Sequence, residues 1–235
     1  LDRYDVPTWF RLGDKDLATH LFRTQRLHAG VPLSDVTAEI TAAWGLQCRL
    51  LPMTDDPVRT RITVQRDDGA TVELAMQRWF VGERAEPPVV SVRFEGAESA
   101  APGPGVLEAL CAADTIVICP SNPVISIGPI LAIPGVRDAL IARRSRVVAV
   151  SPIVGGAPVK GPADRLMGPL GIDVSCVGVA QAYAEFCSSL VIDAVDAGRA
   201  AEVEATGVHA VVTDTMMRSP EVAAALAAET LAAVA

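Results

Sequence analysis

Polar side chains and glycines follow three short apolar runs of the chain, TIVIC (115–119), RVVAV (146–150) and VHAVV (208–212). Each run is rich in β-branched residues, which is typical of a strand covered on both faces of a sheet. Residues that follow the strands of a parallel sheet meet at one edge, where such sheets bind their ligands. We therefore predict a ligand pocket across the ends of these three strands.

Hydroxyl, amide and glycine groups follow the first run. Ser121, Asn122 and Ser126 can hydrogen-bond to a ligand, and Gly128 would let the backbone approach it closely. A helix that starts nearby would also present free N–H groups to an anion. The alternative is structural, because serine and asparagine also cap helices.

The loops after the other two runs add a cation and an acid. Ser151, Lys160 and Gly161 follow RVVAV, and Lys160 could supply a point charge to a phosphate. A Thr-Asp-Thr stretch (213–215) follows VHAVV. Here the alternative is that the glycines and prolines of these loops only shape turns.

An acidic cluster precedes the first predicted helix. Asp14 and Asp16 lie at its start, and His20 lies four residues beyond Asp16, so one helical face can carry both side chains. We take these three residues as catalytic candidates. The alternative is that the two carboxylates cap the helix.

A second acidic cluster, Asp55 and Asp56 with Arg59 close behind, is a candidate for substrate or nucleotide binding. Carboxylates in such a position can also hold Mg²⁺, with waters and substrate phosphates completing the shell, so Asp55 and Asp56 are candidate metal ligands. An Asx-turn is the alternative explanation. Spacing alone leaves the metal ligands unknown.

Standard catalytic and nucleotide-binding motifs do not occur in the sequence. It contains no GxGxxG, no GxxxxGK[ST] and no GxSxG pattern, and no Ser-His-Asp or Cys-His arrangement is evident.

Strand and helix signals alternate from residue 104 to the end, which predicts an α/β fold with a parallel sheet and crossover helices. SLVID (189–193) is a further strand and residues 221–235 form a closing helix. We divide the chain into residues 1–100, a helical and β-hairpin insertion layer, and residues 101–235, the parallel core, which can also form one integrated domain.

The first layer has its own element signals. Helices are predicted over residues 17–29 and 34–44, with Ser34 as the N-cap of the second. Strands are predicted at 48–53 and 89–94, and a hairpin turns at Asp68-Gly69.

Composition excludes several classes of function. The net charge of −8 argues against nucleic-acid binding, and no run approaches the ~18–20 apolar residues of a membrane span. Five cysteines without CxxC spacing predict reduced, mostly buried thiols in a cytosolic protein.

Several long strings of the sequence together resemble the 2-phospho-L-lactate transferase family of deazaflavin coenzyme F-420 biosynthesis. The matching strings run in order along nearly the whole chain: WFRLGDKDLATHLFRT (9–24), LPMTDDPVRT (51–60), VRFEGAE (92–98), PGVLEALCAADTIVICPSNPVISIGPILAIPGVRDAL (104–140), VVAVSPIVGGAPVKGPADRLM (147–167) and VVTDTMM (211–217).

The resemblance implies a Rossmann-like parallel sheet with helices on both faces. It implies transfer of a phospholactyl or phosphoenolpyruvyl group from a guanosine diphosphate-linked donor to the terminal ribityl hydroxyl of 7,8-didemethyl-8-hydroxy-5-deazariboflavin. GMP would leave, Mg²⁺ would assist, and the protein would form a homodimer.

One departure from the family pattern concerns the start of the chain. The family begins with a strand, a glycine-rich turn and paired aspartates, and none of these precedes Leu1. We therefore expect this chain to be a fragment that lacks roughly the first quarter of the family pattern. The alternative function is that of a nucleotide-sugar-binding regulatory protein of the same superfamily. The loop PSNPVISIGPI separates the two branches, and here it resembles that of the transferases.

Overall fold

The first half of the chain forms two helices and a small antiparallel sheet in a computed structural model that describes residue 3 and residues 8–234. The helices are α1 (Asp14–His28) and α2 (Leu33–Ala43). The sheet has the order β2-β1-β3. Its strands are β1 (Arg59–Gln65), β2 (Thr71–Ala75) and β3 (Val89–Glu95). The predicted hairpin joins β1 to β2, with Gly69 at φ +82° in its turn.

The second half alternates strands with helices. Its elements in chain order are α3 (Val106–Ala112), β4 (Ile116–Ile118), α4 (Gly128–Leu131), α5 (Val136–Ala142), β5 (Val147–Val150), β6 (Ile153–Val154), β7 (Ala157–Pro158), α6 (Asp164–Met167), α7 (Cys176–Tyr183), β8 (Ser189–Asp193), α8 (Ala200–Glu204), β9 (His209–Thr213) and α9 (Pro220–Ala232). Strands β4, β5, β8 and β9 form a parallel sheet in that order. The closing helix thus ends before Ala235, which lies outside the described residues.

Alternating side chains of the central strands reach two separate apolar clusters. Val147 and Ala149 of β5 belong to the main core, whereas Val148 and Val150 join a smaller cluster with Leu226 of α9. Successive residues of a strand point to opposite faces, so the sheet is covered on both sides. The predicted α/β class with a doubly covered parallel sheet is confirmed.

The antiparallel layer shares the main core. Ile62 of β1 and Trp79, which follows β2, are fully buried in the same cluster as Val147 and Leu190 of the parallel sheet. The division into residues 1–100 and 101–235 stays a prediction. Side chains from both ranges pack into one continuous core.

The strand predicted at 115–119 is shorter and less covered than expected. Strand β4 has three residues and lies at one end of the sheet order, and Val117 is 39% exposed. The side chain of Val117 is therefore only partly covered by the described residues, although the β-branched run predicted cover on both faces. The prediction was right for β5 and β8, whose residues are all buried.

The strand predicted at 48–53 is absent from the structure. Pro52 has no N–H group to donate to a ladder. The segment instead accepts a backbone hydrogen bond from a distant glycine: Gly103 N donates to Met53 O at 2.8 Å. A Cβ on Gly103 would lie 2.3 Å from Pro52 O, so only glycine fits there.

Ser34 does not cap α2, contrary to the prediction. The helix begins after Pro32 without a side-chain cap. The N–H and hydroxyl of Ser34 both donate to Asp55, at 2.6 and 2.8 Å. The carboxylate of Asp55, 21 residues further along the chain, thus accepts from a free N–H group of the first helical turn. Local sequence cannot reveal such a distant partner.

The cysteines are less buried than predicted. All five are free thiols, but only Cys176 and Cys187 are buried. In the described part of the chain, no single helix is long and apolar enough to cross a membrane. One pair, Pro123–Leu131 with Val136–Ala142, reaches that length and composition only when its halves, bent by 91°, are joined.

Candidate functional site

A cleft of about 580 Å³ opens at the carboxyl ends of the parallel strands. Its walls come from the loops after β4, β5 and β9 and from a π-helical turn, Arg78–Gly82, of the antiparallel layer. Six residues singled out in the sequence line it: Ser121, Asn122, Ser126, Ser151, Lys160 and Gly161. All three predicted loops therefore line the cleft. The six residues come from the loops after β4 and β5, and Thr215 comes from the loop after β9. Their role in binding stays a prediction.

Asn122 caps the π-helical turn Pro123–Ile127 and keeps its own amide donor unpaired. Its Oδ1 accepts hydrogen bonds from Val124 N at 2.9 Å and Ile125 N at 3.2 Å. Its Nδ2 is buried without a partner among the described residues. Leaving a buried donor unpaired costs about 1–3 kcal/mol. Asn122 itself lines the cleft, so a shift of this loop that exposes the nitrogen would let it donate to an oxygen of a ligand.

Ser151 and Gly161 shape the second wall. Ser151 Oγ donates to Ile153 O at 2.8 Å, and Ile153 N donates back to it at 3.2 Å, so this buried hydroxyl fixes the turn into β6. The β6–β7 hairpin then leads to Lys160. Gly161 has φ +72°, a conformation that favours glycine and redirects the chain along the cleft.

Asp193, at the end of β8, is a buried carboxylate just outside the cleft. Its Oδ2 accepts from Thr215 N at 2.9 Å and Thr215 Oγ1 at 2.8 Å, and its Oδ1 accepts from Val195 N at 3.0 Å. Burial alone would raise the pKa of this carboxyl, but these donors and the charge of Arg218 outweigh it and lower the pKa. Asp193 is therefore ionised at neutral pH.

The lowered pKa predicts acid-sensitive stability. The unfolded-state pKa of aspartate is about 3.9. The contribution of Asp193 is then fully present above that pH and is lost as the pH falls through the lower folded-state pKa. We expect Asp193→Asn to lower the free energy of unfolding at pH 7 and the difference from the parent to shrink below pH 4. Urea unfolding at both pH values measures this, with Glu229→Gln as the control, and a constant difference would contradict it.

The cleft is locally cationic in an acidic protein. Lys160 lines it, is exposed, and forms no salt bridge with any described residue. Arg218 also lines it, and its Nη2 lies 2.8 and 2.9 Å from the two carboxylate oxygens of Asp214. Among the described residues, no carboxylate lines the cleft. This charge pattern favours an anionic ligand.

The rest of the lining is apolar, and sequence reasoning missed it. The larger of these residues are Phe80, Ile125, Val159, Met216 and Met217. Phe80 is 38% exposed, whereas its neighbour Trp79 is fully buried and donates from Nε1 to Pro87 O at 3.0 Å. The turn is thus anchored by Trp79 and presents Phe80 to the cleft. Its π-helical form, frequent at functional sites, is a structural rather than a sequence signal.

The three catalytic candidates do not line the cleft. Asp16 Oδ2 accepts from Gly13 N at 3.3 Å, and Asp14 Oδ1 accepts from Lys15 N at 2.8 Å. His20 Nδ1 lies 2.8 Å from Arg23 Nη2. The capping alternative accounts for the contact of Asp16, and the catalytic role of these residues stays a prediction.

The second acidic cluster also lies outside the cleft lining. Both oxygens of Asp55 accept from Ser34, and Asp56 Oδ2 accepts from Ala101 N at 2.8 Å. Arg59 is an exposed residue at the start of β1. These carboxylates tie the layers together, and their predicted part in binding substrate or metal is untested.

Gly128 has a packing role in this structure. A Cβ there would lie 2.8 Å from Phe94 Cζ, so the glycine allows α4 to approach β3 closely. Gly128 is not part of the cleft lining. This contact explains the glycine without a ligand.

A magnesium ion finds no ready set of protein ligands in the structure. Within residues 8–234, no three His, Cys, Asp or Glu side chains group as a metal site. Asp193 is engaged by three donors and Asp214 by Arg218. The described residues therefore do not fit a protein-held ion, and the predicted Mg²⁺ requirement stays untested.

A cationic, partly apolar cleft at the strand ends of a parallel sheet is typical of α/β proteins that bind phosphorylated ligands. Residues 3–231 match the family model described as 2-phospho-L-lactate transferase CofD. The chain belongs to this family of transferases, as the resemblance predicted.

Individual relatives agree with the family match. The chain is 45% identical over 226 residues to a phosphoenolpyruvate transferase of Streptomyces griseus, covering 96% of this chain and 71% of the relative. It is 42% identical to a 2-phospho-L-lactate transferase of Methanosarcina mazei, covering 90% and 67%. A solved structure of a UPF0052-family protein from Bacillus halodurans has the same fold. It has a TM-score of 0.57 and 19% identity, and the match covers 85% of this chain and 65% of that protein.

Proposed function

We propose that the cleft transfers a phosphoenolpyruvyl or phospholactyl group from a guanosine diphosphate-linked donor to 7,8-didemethyl-8-hydroxy-5-deazariboflavin in coenzyme F-420 biosynthesis. The observation that carries the proposal is the lining itself. It combines an unpaired cation, Lys160, and an unpaired buried donor, Asn122 Nδ2, with no described carboxylate. These groups fit a diphosphate, and the apolar residues fit a planar ring.

The reaction needs positioning more than covalent catalysis. The terminal ribityl hydroxyl attacks the phosphorus that carries the lactyl or enolpyruvyl oxygen, a new P–O bond forms, the P–O bond to GMP breaks, and the hydroxyl proton passes to water. Lys160 and the Asn122 amide would stabilise charge on the phosphoryl oxygens. The proposed reaction uses no enzyme nucleophile, since the ribityl hydroxyl itself attacks the phosphorus.

Magnesium is proposed to enter with the diphosphate of the donor, because no described carboxylate lines the cleft. We expect Mg²⁺ alone to leave the melting temperature unchanged, whereas GDP with Mg²⁺ should raise it further than GDP with EDTA. Thermal unfolding in these conditions measures both effects. A shift with Mg²⁺ alone would show that the chain itself holds the ion.

A homodimer and a cytosolic location complete the proposal. Helix α1 has no buried residue, and its Leu17, Leu21 and Phe22 are exposed. Association would cover such apolar side chains. Sedimentation of the purified chain measures its oligomeric state.

Product detection tests the function directly. The chain is incubated with the deazaflavin and either the phosphoenolpyruvyl or the phospholactyl donor, with and without Mg²⁺, and GMP and the phosphorylated deazaflavin are measured by mass. Equimolar formation of both products supports the proposal and identifies the donor. A folded protein that binds a UDP-sugar but neither GDP nor the deazaflavin would support the regulatory alternative instead.

Phe80 provides a test of ring binding. We expect Phe80→Leu to weaken binding of one planar-ring substrate by about three- to tenfold, because aromatic stacking is worth about 0.5–1.5 kcal/mol. Phe80→Tyr keeps the ring and should bind almost as the parent does. Phe10→Leu, at an exposed phenylalanine outside the cleft lining, is the matched control. Equilibrium titration with GDP and with the deazaflavin measures the effect, and unchanged affinity for both would remove Phe80 from the site.

A further inference from the structure

We propose that Asp193 and Asp196 are positioning residues that fix the two cleft walls carrying Arg218 and Lys160. Both carboxylates are buried, at 4% and 6% exposure, and neither lines the cleft. They belong to one short segment, the end of β8 and the 3-10 turn Ala194–Arg199 that follows it. The binding part of this inference rests on the proposed function.

Asp193 holds the wall formed by the loop after β9. Its Oδ2 accepts from both the backbone N–H and the hydroxyl of Thr215, while its Oδ1 accepts from Val195 N and caps the following turn. Thr215, Met216, Met217 and Arg218 all line the cleft. The carboxylate therefore fixes the start of the stretch that ends with Arg218.

Asp196 holds the opposite wall. Its Oδ2 accepts from Gly155 N at 2.9 Å, across 41 residues of sequence. Gly155 has φ +59° and lies in the tight turn between β6 and β7. The hairpin it closes leads directly to Val159 and Lys160 in the cleft. The carboxylate thus ties this hairpin to the same segment that holds Thr215.

The placement of the segment explains why it can set the distance between the walls. Strand β8 pairs with β5 on one side and β9 on the other, and all five of its residues are buried. Both walls are therefore hydrogen-bonded to the segment at the end of one buried strand, β8. A buried negative charge beside a cationic cleft opposes the binding of an anion. We therefore assign to these carboxylates the role of holding the two walls at a fixed position relative to each other.

Hydrogen exchange of the unliganded protein tests the positioning without a substrate. We expect Asp196→Asn to speed amide exchange about tenfold more in residues 153–161 than in the rest of the chain, because the hydrogen bond to a charged group is lost there. Asp193→Asn should do the same in residues 213–218, above any smaller rise that reflects its lower overall stability. Glu229→Gln, at an exposed α9 carboxylate whose side chain has no hydrogen bond to a described residue, should change neither segment. Thr215→Val and Asp196→Ser are milder variants for use if an asparagine variant does not fold. Exchange that rises equally throughout the chain, or not at all, overturns the inference.

Double-mutant cycles of GDP affinity, measured well below the melting temperature, distinguish positioning from general stability. Asp196→Asn should weaken GDP binding about tenfold in the parent but little in a Lys160→Ala background. Asp193→Asn should behave in the same way relative to Arg218→Ala. Additive effects, or parental affinity in both aspartate variants, would overturn the inference. A parent that binds no GDP would defeat the proposed function instead, and the exchange data would then decide this inference alone.

Discussion

Asn122→Asp is expected to reduce product formation by about 10²- to 10³-fold while the fold stays intact. The substitution keeps an oxygen that can accept from Val124 N and Ile125 N, so the cap of the π-helical turn survives. It replaces the unpaired Nδ2 donor with a carboxylate oxygen, which repels a phosphoryl group instead of stabilising it. Loss of one preorganised donor to a developing oxyanion typically costs about 10²–10³ in turnover.

Asn122→Ala is a poorer test, because it removes the cap as well as the donor. Loss of such a cap costs about 1 kcal/mol, so a lower melting temperature would accompany any loss of activity. Gln181→Glu, an amide-to-carboxylate change on α7 outside the cleft lining, controls for added negative charge. Rates and melting temperatures are compared for all three variants. Parental turnover in Asn122→Asp would show that Nδ2 does not contact the reacting phosphoryl group.

The sequence predicted the parallel sheet and most of one edge of the cleft because those signals are local. A short apolar run such as 190–192, bounded by polar residues and rich in β-branched side chains, favours a buried strand, and the residues after parallel strands meet at one edge of the sheet. Ser121, Asn122 and Lys160 could therefore be placed near one another before the structure was known.

The remaining features depend on contacts between distant segments. Phe80 reaches the cleft from a different sheet, and Asp196 holds a glycine 41 residues away. Asp55 and Asp56 read as candidate ligands, yet their oxygens accept from Ser34 and from Ala101, the latter 45 residues away. Local pattern cannot separate a capping carboxylate from a binding one, since both uses need the same side chain near a turn.

Lys160→Ala is expected to weaken GDP binding about tenfold at low salt and to flatten its salt dependence. The side chain has no salt-bridge partner in the described part of the chain, so its charge is available to a ligand at no cost in lost ion pairs. An exposed charge acts through solvent, and salt screens it over a distance of about 10 Å at 0.1 M ionic strength. Removing it should therefore matter least at high salt.

Two further variants test whether the effect comes from the charge at position 160. Lys160→Arg keeps the charge and should retain most of the affinity, although the planar guanidinium places its donors differently. Lys15→Ala removes the only other lysine of the chain, on α1 outside the cleft lining, and should leave GDP binding unchanged. Titrations at low and high salt give the affinities of all three. Equal losses in both alanine variants would indicate a general charge effect. Parental affinity in Lys160→Ala would remove Lys160 from the phosphate site.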